Sequence, residues 1–145
     1  RESNISMYNA FTHRHLQEIR QSINELQPDF NQPLNLIPIR GDFTRGIYVT
    51  AYTKCDLSLE EAYALYRSYY KGAAFTFVTD INPDLKQVVN TNKVILYLEK
   101  HGDKLLIVSI IDNLLKGASG QAVQNMNLMF GLDEKAGLGL KATGF

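Results

Sequence analysis

With 145 residues, 45% of them hydrophobic and 21% charged, the chain has the size and composition of one soluble globular domain with a substantial core. Fifteen basic residues balance fifteen acidic ones, which leaves no electrostatic footprint for nucleic acid or an anionic membrane surface. A single cysteine excludes an internal disulfide, no charged-then-apolar leader opens the chain, and the longest apolar run, residues 105–111, falls far short of the ~20 residues of a bilayer span, so a reducing, cytoplasmic setting is expected.

Residues 4–10 alternate polar and apolar positions, as a half-buried strand does. The absence of an initiating methionine or a polar tail before them points to a piece of a longer protein. Leu16, Ile19, Ile23 and Leu26 recur at helical spacing, giving a helix that ends before Pro28 with Thr12 or His13 as its cap. Residues 34–39 and 46–53 are strand candidates. Ser58-Leu59-Glu60-Glu61 has the form of a capping box, and the stripe Leu59, Ala62, Tyr63, Tyr66, Tyr70 predicts a helix ending at Gly72. Short strands are expected at 75–78 and 87–90, on either side of the turn residues Asn82-Pro83-Asp84. Residues 93–99 and 104–111 flank Lys100-His101-Gly102-Asp103, which suits a hairpin loop. A last helix, residues 120–130, is expected to bury Val123, Met126 and Phe130, and the glycine-rich tail 133–145 to be partly mobile. Strands joined by hairpins, with helices not strictly alternating, predict an α+β fold: a mixed, largely antiparallel sheet with helices on one face. An open opposite face, with Tyr48, Tyr97 and alternate positions of 104–111, would favour self-association.

Three clusters could carry chemistry. His13 and His15 stand two apart at a strand-to-helix junction, with Glu18 one turn beyond; an imidazole there can serve as a general base oriented by the carboxylate, or the pair can be two exposed histidines at a helix start. No third or fourth ligand accompanies them, so no metal site is assigned. Arg45, next to Gly46, can pair with a substrate carboxylate or phosphate, or equally with Asp42 on the surface. Asn113, Gly117 and Gly120 crowd amide and glycine chemistry into a helix start, suiting an amide ligand such as nicotinamide, or an anion. Gly137-Leu138-Gly139 follows no strand and is read as tail, not as a dinucleotide fingerprint.

The run Asp112-Asn113-Leu114-Leu115-Lys116-Gly117-Ala118-Ser119-Gly120-Gln121-Ala122-Val123-Gln124-Asn125-Met126-Asn127, together with His13-Arg14-His15 followed by Glu18-Ile19 and with Arg45-Gly46-Ile47, resembles the N-acetyl-gamma-glutamyl-phosphate reductases of arginine biosynthesis. Where that family often has Thr-Pro after the histidines, this chain has Leu16-Gln17. The resemblance implies the C-terminal fold of glyceraldehyde-3-phosphate dehydrogenase-like enzymes. In the intact protein it implies NADPH-dependent reduction of N-acetylglutamyl 5-phosphate to the semialdehyde with release of phosphate. It makes His13, His15 and Glu18 catalytic, Arg45 a substrate contact, and Asn113, Gly117 and Ala118 cofactor contacts. It divides the chain into a catalytic and dimerisation part, 1–112, and a returning segment, 113–145, whose helix packs on a missing N-terminal nucleotide-binding domain. Expected partners are that domain, a small-molecule substrate and a second copy, with no nucleic acid and no membrane. The family's nucleophile lies in a Gly-Cys-Tyr turn, whereas the only cysteine here sits in Tyr52-Thr53-Lys54-Cys55-Asp56, so the chain alone should be inactive. A related semialdehyde dehydrogenase, or a non-catalytic oligomerisation or binding module, is the alternative.

Overall fold

The structure, a computed structural model, describes residues 3–142. The last three residues of the glycine-rich tail therefore lie outside the described residues, as do the first two of the chain. The chain divides into two compact units, one running to Thr44 and the other beginning at Arg45.

In the first unit, β1 (Ser6–Met7) pairs antiparallel with β2 (Ile39–Arg40), and α1 spans His15–Leu26. Both strands are shorter than the sequence predicts. Pro33 precedes residues 34–39 and Pro38 lies within them, each without a backbone donor, and the segment is tied by Tyr8 N–H to the Pro38 carbonyl and Phe11 N–H to the Leu36 carbonyl. The residue at the N-cap of α1 is Arg14, in helical conformation and without a side-chain cap bond; of the two caps expected, Thr12 and His13, it is His13 whose ring accepts from the first N–H of the helix, that of His15. No residue of α1 is buried.

The second unit is built on a four-stranded sheet in the order β3 (Ile47–Lys54), β6 (Lys104–Ile111), β5 (Val94–His101), β4 (Thr76–Thr79). Only β4–β5 is parallel, so the sheet is mixed and largely antiparallel, as expected. β5 and β6 form a hairpin registered from Val94↔Ile111 to His101↔Lys104. Its two-residue turn places Gly102 at φ +58°, a backbone that glycine adopts without strain. The connection from β4 to β5 is not a strand at 87–90. Asp84 accepts from the Lys86 N–H and starts a short 3-10 turn, Leu85–Gln87, after which Asn90 turns the chain at φ +63°.

α2 (Leu59–Tyr69) carries the predicted capping box: Glu61 N–H donates to Ser58 Oγ at 3.2 Å and Ser58 N–H to Glu61 Oε2 at 2.8 Å. The Ser58 backbone N–H, then its hydroxyl, hold the Glu61 carboxyl below its usual range. Ala62 and Tyr63 of α2 pack with Leu98 and Leu105 on one face of the sheet. The Tyr63 hydroxyl is buried within 3.1 Å of the Thr79 carbonyl and 3.0 Å of that of Leu98, and accepts from Leu98 N–H. By strand alternation Val108 and Ile110 point to the other face, where Val88 covers them; burying a side chain of this size is worth about 1.5–3 kcal/mol. That face is therefore only partly open: Tyr48 and Tyr52 on β3 remain 42% and 74% exposed.

α3 (Gly120–Met129) corrects a further expectation. Its buried residues are Gly120, Gln124 and Asn127, while Met126 is 45% and Phe130 73% exposed. The polar side is inside because it finds partners. Gln124 Oε1 accepts from Asn92 Nδ2 and Lys116 Nζ, its Nε2 donates to Glu134, and Asn127 Nδ2 donates to the Glu134 and Ala136 carbonyls. The chain after α3 folds back over this network far enough to bury Leu138.

Candidate active site

In the first unit the structure brings His13, His15 and Glu18 together. The two imidazole centroids lie 4.4 Å apart, edge to face, and Tyr8 flanks His13 at 5.6 Å. His15 Nε2 is 3.9 Å from Glu18 Oε2, an exposed pairing worth little to stability. His15 N–H donates to His13 Nδ1 at 3.2 Å, so a neutral His13 in this arrangement carries its proton on Nε2 and presents a donor there. The preceding turn is strained, with Asn9 at φ +45° and the aromatic Phe11 at φ +60°, a region that bulky residues rarely occupy. Such strain concentrates at functional sites.

In the second unit, Arg45 does not meet Asp42. Its Nη2 lies 3.1 and 3.0 Å from the two oxygens of Asp112, a carboxylate with no exposed surface. Asp112 further accepts from the N–H groups of Asn90, Leu114 and Leu115 at 2.7, 2.8 and 2.9 Å. Burial pushes its pKa up; the Asn90, Leu115 and Leu114 amides and the Arg45 guanidinium together outweigh this and hold it below the ordinary aspartate value. Arg45 Nε is buried without a partner, which leaves part of the guanidinium's donor set uncommitted. Gly46 takes φ +112°, leaves no room for a Cβ against Leu85, and donates its N–H to Asn113 Oδ1 at 2.7 Å. The glycine after Arg45 thus serves the backbone more than access to the guanidinium.

Gly117 and Ala118 lie on a π-helical turn, Leu115–Ser119, that leads into α3, and Asn113 stands two residues before it. Gly117 N–H donates to the Asp112 carbonyl and Ser119 N–H to the Leu114 carbonyl, so these are not the free N–H groups of a helix start, and an anion nest is not what this turn offers. Gly120 does open α3, but its N–H, spent on the Leu115 carbonyl, is no freer for an anion than that of Gly117. What the turn does present is the Asn113 amide NH2 beside two small exposed residues; a Cβ on Gly117 would meet nothing nearer than 3.8 Å. This fits an amide-bearing planar ring better than a phosphate. Gly120 has a packing role: a Cβ there would run into Asn92 Oδ1 and come within 2.9 Å of the Leu115 carbonyl oxygen. Gly120→Ala is expected to destabilise the second unit by about 1–3 kcal/mol, read as a lowered denaturation midpoint with an unchanged m-value. An unchanged midpoint would contradict the close packing.

Sequence reasoning gave no role to Asp112, Lys116 or residues 88–92. Val88, Thr91 and Asn92 are buried; the Asn90 N–H ties this segment to Asp112 and Asn92 Nδ2 ties it to Gln124 of α3, while the Thr91 hydroxyl closes it on the Val88 carbonyl. The clustered Asn-Thr-Asn was the available signal. Burial lowers the Lys116 pKa, which Glu134 partly offsets. Cys55 packs beside the α2 cluster; its N–H is spent on the Asp103 carbonyl and its carbonyl on Lys100 Nζ. Among the described residues no group of histidine, cysteine and carboxylate side chains could hold a metal ion, and no helix is long and apolar enough to cross a membrane.

The second unit is a mixed, largely antiparallel sheet whose parallel pair, β4–β5, is joined without a crossover helix, unlike a dinucleotide-binding βαβ unit. Residues 1–113 match the family model described as the semialdehyde dehydrogenase dimerisation domain, and the chain belongs to that family. Curated relatives named N-acetyl-gamma-glutamyl-phosphate reductase include that of Azobacteroides pseudotrichonymphae, 61% identical over 100% of this chain and 44% of its own length. Those of Christiangramia forsetii and Parabacteroides distasonis are 64% and 58% identical, over 98% and 100% of this chain and 44% and 45% of their own. The chain thus spans less than half the length of the curated relatives it matches, and the resemblance read from its motifs is borne out.

Proposed function

We propose that this chain is the C-terminal part of an NADPH-dependent reductase that converts N-acetylglutamyl 5-phosphate to N-acetylglutamate 5-semialdehyde and phosphate in the cytoplasm. The observation that carries this reading is the 57–64% identity to reductases of that name over essentially the whole chain. In this reading His13 and His15 take the proton of a nucleophilic thiol held elsewhere in the protein as it displaces phosphate, and return it to the sulfur when the aldehyde is released; Glu18 orients the pair. Arg45 offers its uncommitted N–H groups to a substrate anion. Asn113, Gly117 and Ala118 would line the nicotinamide side of the cofactor pocket, with the Asn113 NH2 as donor. NADPH, when bound, supplies the hydride.

The exposed Met126, Leu128, Met129 and Phe130 at the end of α3 support the assignment of 113–145 as a segment that packs on a nucleotide-binding domain outside this chain. Exposed β3, with Ile47, Tyr48, Val49 and Tyr52, supports self-association, in keeping with a dimerisation domain. The test is substrate discrimination by the full-length protein. N-acetylglutamyl phosphate should be preferred over β-aspartyl phosphate by about a hundredfold or more in kcat/KM. A preference for the aspartyl substrate would move the protein to the related semialdehyde dehydrogenases.

A further inference from the structure

The π turn that carries Gly117 and Ala118, with Asn113 just before it, is tied to groups outside its own helix. Residues 112–119 are fixed from both ends of one residue. The Asp112 carboxylate takes the N–H groups of Leu114 and Leu115, as an N-cap aspartate does, and the Asp112 carbonyl takes that of Gly117. The same carboxylate is anchored from outside the turn by Arg45, 67 residues away, and by Asn90, whose positive φ aims its N–H at Oδ2. Asn113, the next residue, is pinned by Gly46 N–H, the neighbour of Arg45. A π turn has poorer hydrogen-bond geometry than an α turn and persists where its surroundings over-determine it.

We infer that Asp112 is a positioning residue: with Arg45 as its counter-ion, it sets where Asn113, Gly117 and Ala118 stand, and so governs cofactor affinity without touching the cofactor. This rests on the reading of those three residues as the nicotinamide side of the pocket. It also gives Arg45 a role that does not depend on substrate. Replacing one carboxylate oxygen by an NH2 group sets a donor against the donors of Asn90, Arg45, Leu114 or Leu115, and the turn must shift to relieve it.

The experiment compares wild type, Asp112→Asn and Arg45→Lys in the full-length protein. Amide hydrogen exchange at Leu114, Leu115 and Gly117 is measured without ligand, and NADPH dissociation constants and the KM for acyl phosphate are measured separately. Asp112→Asn is expected to speed exchange at all three amides and to weaken NADPH about tenfold, with the acyl-phosphate KM within about threefold of wild type. Arg45→Lys, which keeps charge but loses the fork, should move the same two readouts in the same direction and less far. Unchanged exchange, or a loss that falls on acyl-phosphate KM with NADPH affinity intact, overturns the inference. Faster exchange with unaltered NADPH affinity also overturns it, whereas a wild-type protein that binds no NADPH at all would remove the functional reading instead.

Discussion

Alanine in place of whichever of His13 and His15 manages the thiol's proton is expected to lower the turnover of the full-length protein by about a hundred- to ten-thousandfold. Neither substitution should shift folding stability by more than about 0.5 kcal/mol. The asymmetry follows from where the residues sit. α1 buries nothing, the His15 and Glu18 side chains are 48% and 66% exposed, and their pairing at 3.9 Å is too open to stabilise the fold. The two rings lie 4.4 Å apart, next to a turn with Asn9 and Phe11 at positive φ, and the His15 N–H donates to His13 Nδ1. Steady-state kinetics with thermal melts of both variants checks this. Turnover within about threefold of wild type in both would remove the catalytic assignment and leave two exposed histidines at a helix start.

The isolated chain is expected to bind NADPH more weakly than about 1 mM and to release no phosphate from an acyl phosphate. Its one parallel pair, β4–β5, is joined through a 3-10 turn and a buried loop in place of a crossover helix, so no helix N-terminus is offered to a pyrophosphate. In the proposed reading Asn113, Gly117 and Ala118 would make only one wall of the pocket. Cys55 has its backbone tied into the end of β3 and packs as a small apolar group beside α2, so Cys55→Ser should leave the full-length protein's activity within about twofold. Calorimetric titration of the chain alone, and kinetics of Cys55→Ser in the full-length protein, check both statements. Thiol-dependent phosphate release by the chain alone, lost in Cys55→Ser, would make that cysteine the nucleophile.

Much of the second unit was legible because its signals are local. The capping box Ser58–Glu61 and the hairpin centred on Gly102 each lie within a few residues, and both stand as read. Residues 87–90 misled because Val88 and Val89 look like a strand. Their burial under a turn depends on Asp84 and Asn90, whose side-chain and backbone geometry outweighs apolar content. α3 misled for a related reason. Apolar spacing placed Val123, Met126 and Phe130 inward, but Gln124 and Asn127 find partners on Asn92, Glu134 and Ala136, and a satisfied amide can be buried at little cost.

The site was read unevenly. Two histidines two positions apart, with a carboxylate one turn on, is a pattern visible in sequence, and the structure does cluster them. The partner of Arg45 was not visible, because Asp112 lies 67 residues away while Asp42 lies close in sequence. Nor could spacing tell that Gly120 is required by contact with Asn92 and Leu115, whereas a Cβ on Gly117 would make only ordinary contacts, at 3.8 Å or more. Pairing across strands, not periodicity along them, decides such roles.

The most direct measurement is simultaneous: NADPH oxidation and phosphate release followed in one assay of the full-length protein with N-acetylglutamyl phosphate. The account predicts one phosphate released for each NADPH oxidised. It also predicts that Cys55→Ser retains this coupled reaction while substitution of the proton-carrying histidine loses it. Phosphate release uncoupled from NADPH oxidation, or a coupled reaction that disappears with Cys55, would contradict it.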